Sequence, residues 1–207
     1  MEFMKLQMKR SPVVLGLGVL SMMLGVGVSP LAAQSPVDAV RSRNQEVQEI
    51  LEAQGDSVSD EVREELKDVI NSLIDFPELS QRALARYWEE RTEEQRVEFI
   101  DVFRQLVRNS SVRKLSIHQA DSLVYQSPEI TGEAAVLTTV AWKNGKSAEI
   151  VYHMHQADGE WKAWDVVVDG SSTMRTYRDS FYREIRATSY TAMVARLRER
   201  LAEESGS

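Results

Sequence analysis

The sequence contains no cysteine, only five prolines, and fewer basic than acidic residues. The absence of cysteine excludes a disulfide framework, a thiolate zinc site and a thiol nucleophile. It also excludes the lipid-modified cysteine of a lipoprotein. With 25 basic against 32 acidic residues the net charge is −7, whereas domains that bind nucleic acid normally carry a basic surface. These deficits exclude whole classes of protein, and we expect no nucleic acid among the partners.

The first 33 residues have the layout of a secretory signal peptide. A basic head lies between positions 5 and 10, an uncharged stretch follows at 13–28, and small residues come next at Ala32 and Ala33. This stretch of about 16 residues is shorter than the ~20 that span a bilayer as a helix. We therefore expect export and cleavage after Ala33. The alternative is an uncleaved anchor that tethers an interaction module to a membrane.

Removal of residues 1–33 leaves one expected domain at 34–202 and a frayed tail at 203–207. The exported chain of about 174 residues is long enough for one hydrophobic core. It carries 31 acidic and 22 basic residues, a net charge of −9. The excess lies at 34–100, with 17 acidic and 8 basic residues, because 101–207 has 14 of each. The acidic half is expected to be a solvated helical surface.

Apolar residues recur at helical spacing before position 112 and again after Gly170. Thr92-Glu93-Glu94-Gln95 has the pattern of a capping box at the start of a long helix, which we expect to continue through Val112 and Leu115. The spacing and the breakers predict the other helices at Pro36 to about Leu51, ended by Gly55, then at Ser59–Leu73, Pro77–Leu84, 174–185 and 193–201.

Between positions 121 and 169 the sequence changes to strand features. Segments rich in β-branched and aromatic residues are separated by turn signals at Thr131-Gly132, Asn144-Gly145 and Asp158-Gly159. Because the last two fit tight hairpins, the strands should be sequential and antiparallel. The predicted strands are 121–127, 134–142, 147–156 and 160–168.

Two arrangements in the predicted sheet are candidates for chemistry. His153 and His155 share one strand face and could hold a metal ion together, with His118 or Glu149 as a third ligand. No spacing marks that third ligand, so we interpret the pair as solvent-facing and predict no metal site.

Asp165 is a carboxylate within an apolar strand. A carboxylate in such a buried position can act as a general base. Buried acids, however, are usually paired with a basic side chain. We favour an ion pair with Arg175 or Arg178.

Residues 161–172 read WKAWDVVVDGSS, and 177–181 read YRDSF. This order of residues resembles the MlaC (toluene-tolerance auxiliary) family: a tryptophan, a lysine, an apolar and an aromatic residue, Asp-Val, an acid-glycine pair and a serine, then Tyr-Arg and a phenylalanine. Earlier matches are Asp75-Phe76, Leu84 to Tyr87-Trp88, and Thr92 to Gln95-Arg96 followed by Phe99 and Phe103. The chain departs from the family at Ser110-Ser111, where a tyrosine is usual, and at Ser171, where an apolar residue is usual.

The resemblance implies an α+β fold, with a helical layer on a strongly twisted antiparallel sheet of about four strands, related to NTF2-like folds, enclosing an apolar lipid cavity. It also implies a periplasmic phospholipid carrier that is not an enzyme and has no cofactor beyond its lipid cargo. The implied partners are an inner-membrane ABC transporter with its lipid-binding ring subunit and an outer-membrane lipoprotein–porin complex. In that role the protein would maintain outer-membrane lipid asymmetry. The alternative is an NTF2-like periplasmic enzyme, with Asp165 as base and Tyr152 or Tyr177 polarising a small apolar substrate.

Such a carrier needs a deep apolar cavity. Hiding two acyl chains of ~15 methylenes each from water contributes about 0.8 kcal/mol per methylene, more than about 20 kcal/mol in total. Plain core packing is the simpler interpretation of each lining candidate taken alone, so the prediction is made for the set. The residues expected to line the cavity are Phe99, Phe103, Leu106, Val140, Ile150, Tyr152, Met154, Trp164, Val166, Val168, Tyr177 and Phe181.

Overall fold

The computed structural model describes residues 34–54, 59–111 and 120–205. The signal segment, Gly55, His118 and any continuation of the long helix past Ser111 lie outside these ranges. None of the helices described is long and apolar enough to cross a membrane. In chain order the elements are α1 (Pro36–Gln54), α2 (Asp60–Ser72), α3 (Phe76–Leu84), a 3-10 turn (Ala85–Tyr87), α4 (Glu93–Ser111), β1 (Ser122–Tyr125), β2 (Glu129–Thr131), β3 (Ala134–Lys143), β4 (Lys146–Ala157), β5 (Glu160–Val168), β6 (Ser171–Ser172), α5 (Thr173–Ala187) and α6 (Tyr190–Ser205).

Side-chain caps fix where the helices before the sheet begin. Ser59 caps α2 and Asp75 caps α3, each accepting a hydrogen bond from a backbone N–H, at 3.3 and 2.9 Å. In front of α4, the Gln95 N–H donates to the Thr92 hydroxyl and the Thr92 N–H donates to the Gln95 side chain. These reciprocal bonds confirm the predicted capping box, which satisfies two otherwise open N–H groups at the helix start.

The sheet is antiparallel throughout, with the order β1-β3-β4-β5-β6 and with β2 also paired to β3. The Asn144-Gly145 and Asp158-Gly159 turns have positive φ at both positions, as two-residue hairpins of the favoured twist require. The predicted α+β class is confirmed. The sheet has six strands rather than about four because β2 and β6, of three and two residues, are too short to show a period in the sequence.

One face of the sheet packs under α1. Ile150, Tyr152 and Met154 of β4 are buried there together with Ala39 and Val40. The other face carries Val140, Trp142 and Val124, and the last two are 43% and 52% exposed. Since side chains alternate along a strand, Val140 lies on the face opposite to Ala141 and pairs across the sheet with Val124.

A second core lies among helices α3 to α6. The rings of Phe99, Phe103 and Phe181 are fully buried, and their centroids are 5.2 to 5.5 Å apart. Tyr177 packs edge-on against Phe103 at 4.8 Å. Such aromatic contacts add to the free energy that burial of the rings contributes.

Strand β5 pairs with two further segments along the edge that faces away from β4. Ala163 exchanges backbone hydrogen bonds with Leu73 and Asp75, at 2.8 and 2.9 Å, so the α2–α3 connection extends the sheet edge. Further along, β6 pairs with Val167 and Val168. Between these two pairings a bulge opposite His153 shifts the register of β5. The edge of β5 at 164–166, which lies between the two pairings, lines a cavity.

Candidate ligand cavity

A cavity of about 330 Å³ lies between the sheet and the helices. This volume is at the lower end of the ~300–1,000 Å³ usual for ligand pockets. Its wall comes from α1 to α5, from strands β4 to β6 and from the connection between α2 and α3. More than half of the lining residues are apolar or aromatic. The cavity is therefore suited to a ligand that is itself largely apolar.

Half of the lining candidates that were predicted from the sequence lie in this wall. They are Ile150 and Tyr152 on β4, Trp164, Val166 and Val168 on β5, and Tyr177 on α5. The pairing of β4 with β5 brings four of these residues together, because Ile150 is opposite Val168 and Tyr152 is opposite Val166. Whether each residue contacts lipid stays a prediction.

The other candidates lie elsewhere in the fold. Phe99, Phe103 and Phe181 form the aromatic centre of the helical core, and Met154 belongs to the core under α1. Leu106 packs between α4 and α6, and Val140 is on the outer face of the sheet. A contact of these six with lipid also stays a prediction, but their position gives them the role of packing residues in this structure.

Several cavity residues were missed by the sequence analysis. Val40 and Val47 of α1, Ile70 of α2, and Leu73 and Ile74 of the following connection line the wall. Each belongs to an apolar helical stripe or to its end, but a stripe shows only that a face is buried. It does not show whether a neighbouring side chain or an open space lies against that face.

The three serines at which the chain departs from the family all line the cavity: Ser110, Ser111 and Ser171. Asn71 of α2 donates to the Ser111 hydroxyl at 3.0 Å, which joins α2 to α4. The hydroxyl oxygens of Ser110 and Tyr177 are 3.5 Å apart. The hydroxyls of Ser110 and Ser111 also donate to backbone carbonyls of α4, at 2.9 and 2.8 Å, so they add polarity to the wall while being hydrogen-bonded themselves.

Tyr152 is a buried titratable group of the wall. Removal from solvent raises the pKa of its hydroxyl well above the usual value, and the nearby Tyr125 acts in the same direction. The phenol therefore stays neutral at any physiological pH and presents no charge to a ligand.

Asp165 lines the cavity and is only 4% exposed. Its carboxylate accepts hydrogen bonds from the Ser172 hydroxyl at 2.5 Å and from the Met174 N–H at 2.9 Å. The predicted ion pair is wrong, because no ion pair to Arg175 or Arg178 occurs among the described residues. Helix α5 begins directly after β6, so the cap residue Ser172 and the Met174 N–H bind the carboxylate in place of an arginine.

The two histidines of β4 have separate neighbours. His153 stacks on the Trp164 ring with a centroid distance of 5.1 Å. His155 forms a hydrogen bond through Nε2 to Asp75 at 2.8 Å, and Asp75 also caps α3. In the parts of the chain that the structure describes, no group of three or more metal-binding side chains is positioned to hold an ion.

Helices on an antiparallel sheet around a largely apolar cavity define an α+β protein with an internal cavity. The sequence profile described as MlaC protein matches residues 41–199, so the chain belongs to the MlaC family. A solved structure with a similar fold is the phospholipid-binding protein from Ralstonia solanacearum in complex with a phospholipid. It matches with a TM-score of 0.68 and 21% sequence identity over 83% of this chain and 97% of that chain. No curated protein matches this chain in sequence.

Proposed function

We propose that this protein is a periplasmic carrier that holds the acyl chains of one phospholipid in the cavity between its sheet and its helices. It would exchange this lipid between an inner-membrane ABC transporter complex and an outer-membrane lipoprotein–porin complex. The observation that carries the proposal is the largely apolar cavity at the β5 edge, in a chain of the MlaC family. The structure of a phospholipid complex on a similar fold supports it.

A cavity of this kind solves the main physical problem of lipid transport through water. Transfer of an acyl chain from a membrane into water costs about 0.8 kcal/mol of free energy per methylene, unless the chain enters another apolar environment. The described volume is small for two complete acyl chains, so we propose that the helices over the cavity move apart when lipid enters. The headgroup needs no such burial, because it is stable in water.

Residues 1–33 have the features of a cleaved signal peptide, and cleavage would release the domain from the membrane. The missing cysteine removes the usual lipid attachment as well. N-terminal sequencing of the exported protein tests this part of the proposal. A mature chain that begins near Gln34 supports a free carrier, and an intact N-terminus would indicate a tethered module.

Binding is favoured over catalysis by the state of Asp165. Both of its carboxylate oxygens accept hydrogen bonds from the start of α5, so the group with the strongest claim to be a base is already used by the fold. The remaining polar groups of the wall are amides, hydroxyls, one arginine and the neutral Tyr152.

The direct test is the lipid content of the protein. The protein is purified from the periplasm of an expressing bacterium without detergent and extracted with organic solvent, and the extract is analysed by mass spectrometry. We expect about one phospholipid per protein molecule. An extract with no lipid would contradict the proposal. Transfer of a labelled phospholipid from donor to acceptor vesicles then tests the carrier role.

A further inference from the structure

One basic side chain, Arg43 of α1, lies in the wall of the cavity and is half-buried. Its Nε donates to the hydroxyl of Ser72 at 2.7 Å. No carboxylate in the described part of the chain forms an ion pair with it. The exposed arginines nearby differ in this respect, because Arg41 pairs with Asp38 and Arg63 with Asp60. A guanidinium at an apolar cavity without an anionic partner is one that a bound anion can stabilise.

A second cation adjoins the same place. Lys162 of β5 donates to the backbone carbonyl of Ser72 at 3.1 Å, so Lys162 and Arg43 both bind this one residue. Lys162 also pairs with Glu160 at 2.8 Å, and this hydrogen bond, with the positive charges of Lys162 and Arg43, lowers the pKa of Glu160. Glu160 is 61% exposed, and such surface pairs are weak.

The opposite sign of charge occurs where β5 and β6 meet α5. The start of a helix normally attracts anions, but here the Asp165 carboxylate already accepts from the Met174 N–H in the first turn of α5. Asp169 lies in the adjoining turn and accepts from the Glu149 N–H. A second anion would be repelled there. The charged side chains among the lining residues are thus Arg43 at the α1–α2 side and Asp165 beside the start of α5.

We propose that Arg43 binds the phosphate of the lipid headgroup at the rim of the cavity, so that the protein selects phosphodiester lipids over uncharged lipids with the same acyl chains. This inference rests on the proposed function. Nε of Arg43 donates to Ser72 and one N–H of Nη1 donates to the Ser42 hydroxyl at 3.4 Å. The other N–H donors of Nη1 and Nη2 form the planar fork that matches two oxygens of a phosphate. The acyl chains would then extend from Arg43 along the apolar wall towards Val166 and Tyr177.

The test is a competition between two lipids that differ only in the headgroup. Purified protein, stripped of lipid, is incubated with detergent micelles that contain equal amounts of dioleoylphosphatidylglycerol and dioleoylglycerol. The ratio of the two lipids bound is then measured by mass spectrometry. We expect the wild type to favour the phospholipid and Arg43→Gln to lower the ratio about ten-fold, which corresponds to about 1.4 kcal/mol. Arg63→Gln, which removes an exposed charge of the same type from α2, should keep the wild-type ratio.

A change of ionic strength gives a readout that does not depend on any variant. Raising sodium chloride from about 0.05 to about 0.5 M shortens the screening length severalfold, and it should lower the wild-type ratio. Inorganic phosphate distinguishes a headgroup site from a site for the free ion. Phosphate at about 10 mM should give the same ratio of bound lipids as sodium chloride of the same ionic strength. If phosphate lowers this ratio and chloride does not, Arg43 is a site for free phosphate.

The outcomes separate this inference from the function on which it rests. If both lipids bind but Arg43→Gln keeps the wild-type ratio, or if salt has no effect, the phosphate assignment is overturned and the carrier proposal stands. If the wild type binds neither lipid, both proposals fall. Circular dichroism of Arg43→Gln shows that a lowered ratio does not come from a loss of fold.

Discussion

Substitution of Asp165 tests whether this carboxylate serves the fold or a reaction. Its two oxygens accept from the Ser172 hydroxyl and the Met174 N–H, and the Ser172 hydroxyl oxygen in turn accepts from the Arg175 N–H. One side chain thus anchors the start of α5 to strand β5. Asp165→Ala removes both acceptors, and Asp165→Asn keeps one carbonyl oxygen for the Met174 N–H.

The magnitude follows from these two bonds. A hydrogen bond to a charged group contributes about 1.5–3 kcal/mol, and a buried donor that loses its partner costs about 1–3 kcal/mol. We therefore expect Asp165→Ala to lower the free energy of unfolding by about 3–5 kcal/mol and Asp165→Asn by about 2 kcal/mol. For a domain of this size, each kcal/mol corresponds to about 2–4 °C in Tm.

The assay is thermal unfolding followed by circular dichroism. Asp158→Asn is the matched control, because Asp158 occupies a positive-φ turn position that asparagine adopts equally well, and its Tm should stay near that of the wild type. If Asp165→Ala unfolds within about 1 °C of the wild type, the two bonds do not stabilise the fold and the reasoning is refuted. A normal Tm with loss of a measured turnover would favour the enzyme alternative instead.

Three further predictions concern other parts of the structure. Phe103→Ala, which empties the centre of the aromatic core, should lower the free energy of unfolding in urea by about 3–5 kcal/mol. A loss below about 1 kcal/mol, the size usual for an Ile→Val change, would contradict the assigned core. Thr92→Ala removes half of the capping box and should cost about 1 kcal/mol, whereas Thr92→Ser should keep the wild-type stability. Burial, with the nearby Glu98, raises the pKa of Tyr190 to about 12. In the unfolded chain the same hydroxyl ionises at about pH 10. The stability that comes from burying the neutral hydroxyl is therefore complete below pH 10 and is lost between pH 10 and pH 12. A Tm measured across that range should therefore fall less steeply in Tyr190→Phe, and equal slopes would contradict the assignment.

Local patterns in the sequence predicted most of the secondary structure. The capping box at Thr92, the Ser59 cap and the two glycine turns of the sheet depend on interactions between residues two or three positions apart, so the sequence contains them directly. The α+β class followed from the resemblance to the MlaC family. The short strands β2 and β6 were missed, because two or three residues have no recognisable period.

The cavity wall could be predicted only in part, because it depends on which buried faces meet and which leave a space. Side-chain alternation along β4 puts Ile150 and Tyr152 on one face, and both are buried. Val140 was assigned to the same set from its residue type, although its position in β3 places it on the outer face. The partners of Asp165 were also missed, because they depend on α5 starting directly beside β5.

The central claim is that the cavity at the β5 edge holds the acyl chains of a lipid. The most direct test compares two β-strand valines on opposite faces of the sheet: Val166→Glu in the cavity wall and Val140→Glu on the outer face. Each variant is purified from the periplasm, and its phospholipid-to-protein ratio is measured by mass spectrometry, with circular dichroism as the check of the fold. The account predicts that Val166→Glu loses its lipid while Val140→Glu retains it. A folded Val166→Glu protein that carries as much phospholipid as the wild type would contradict the account.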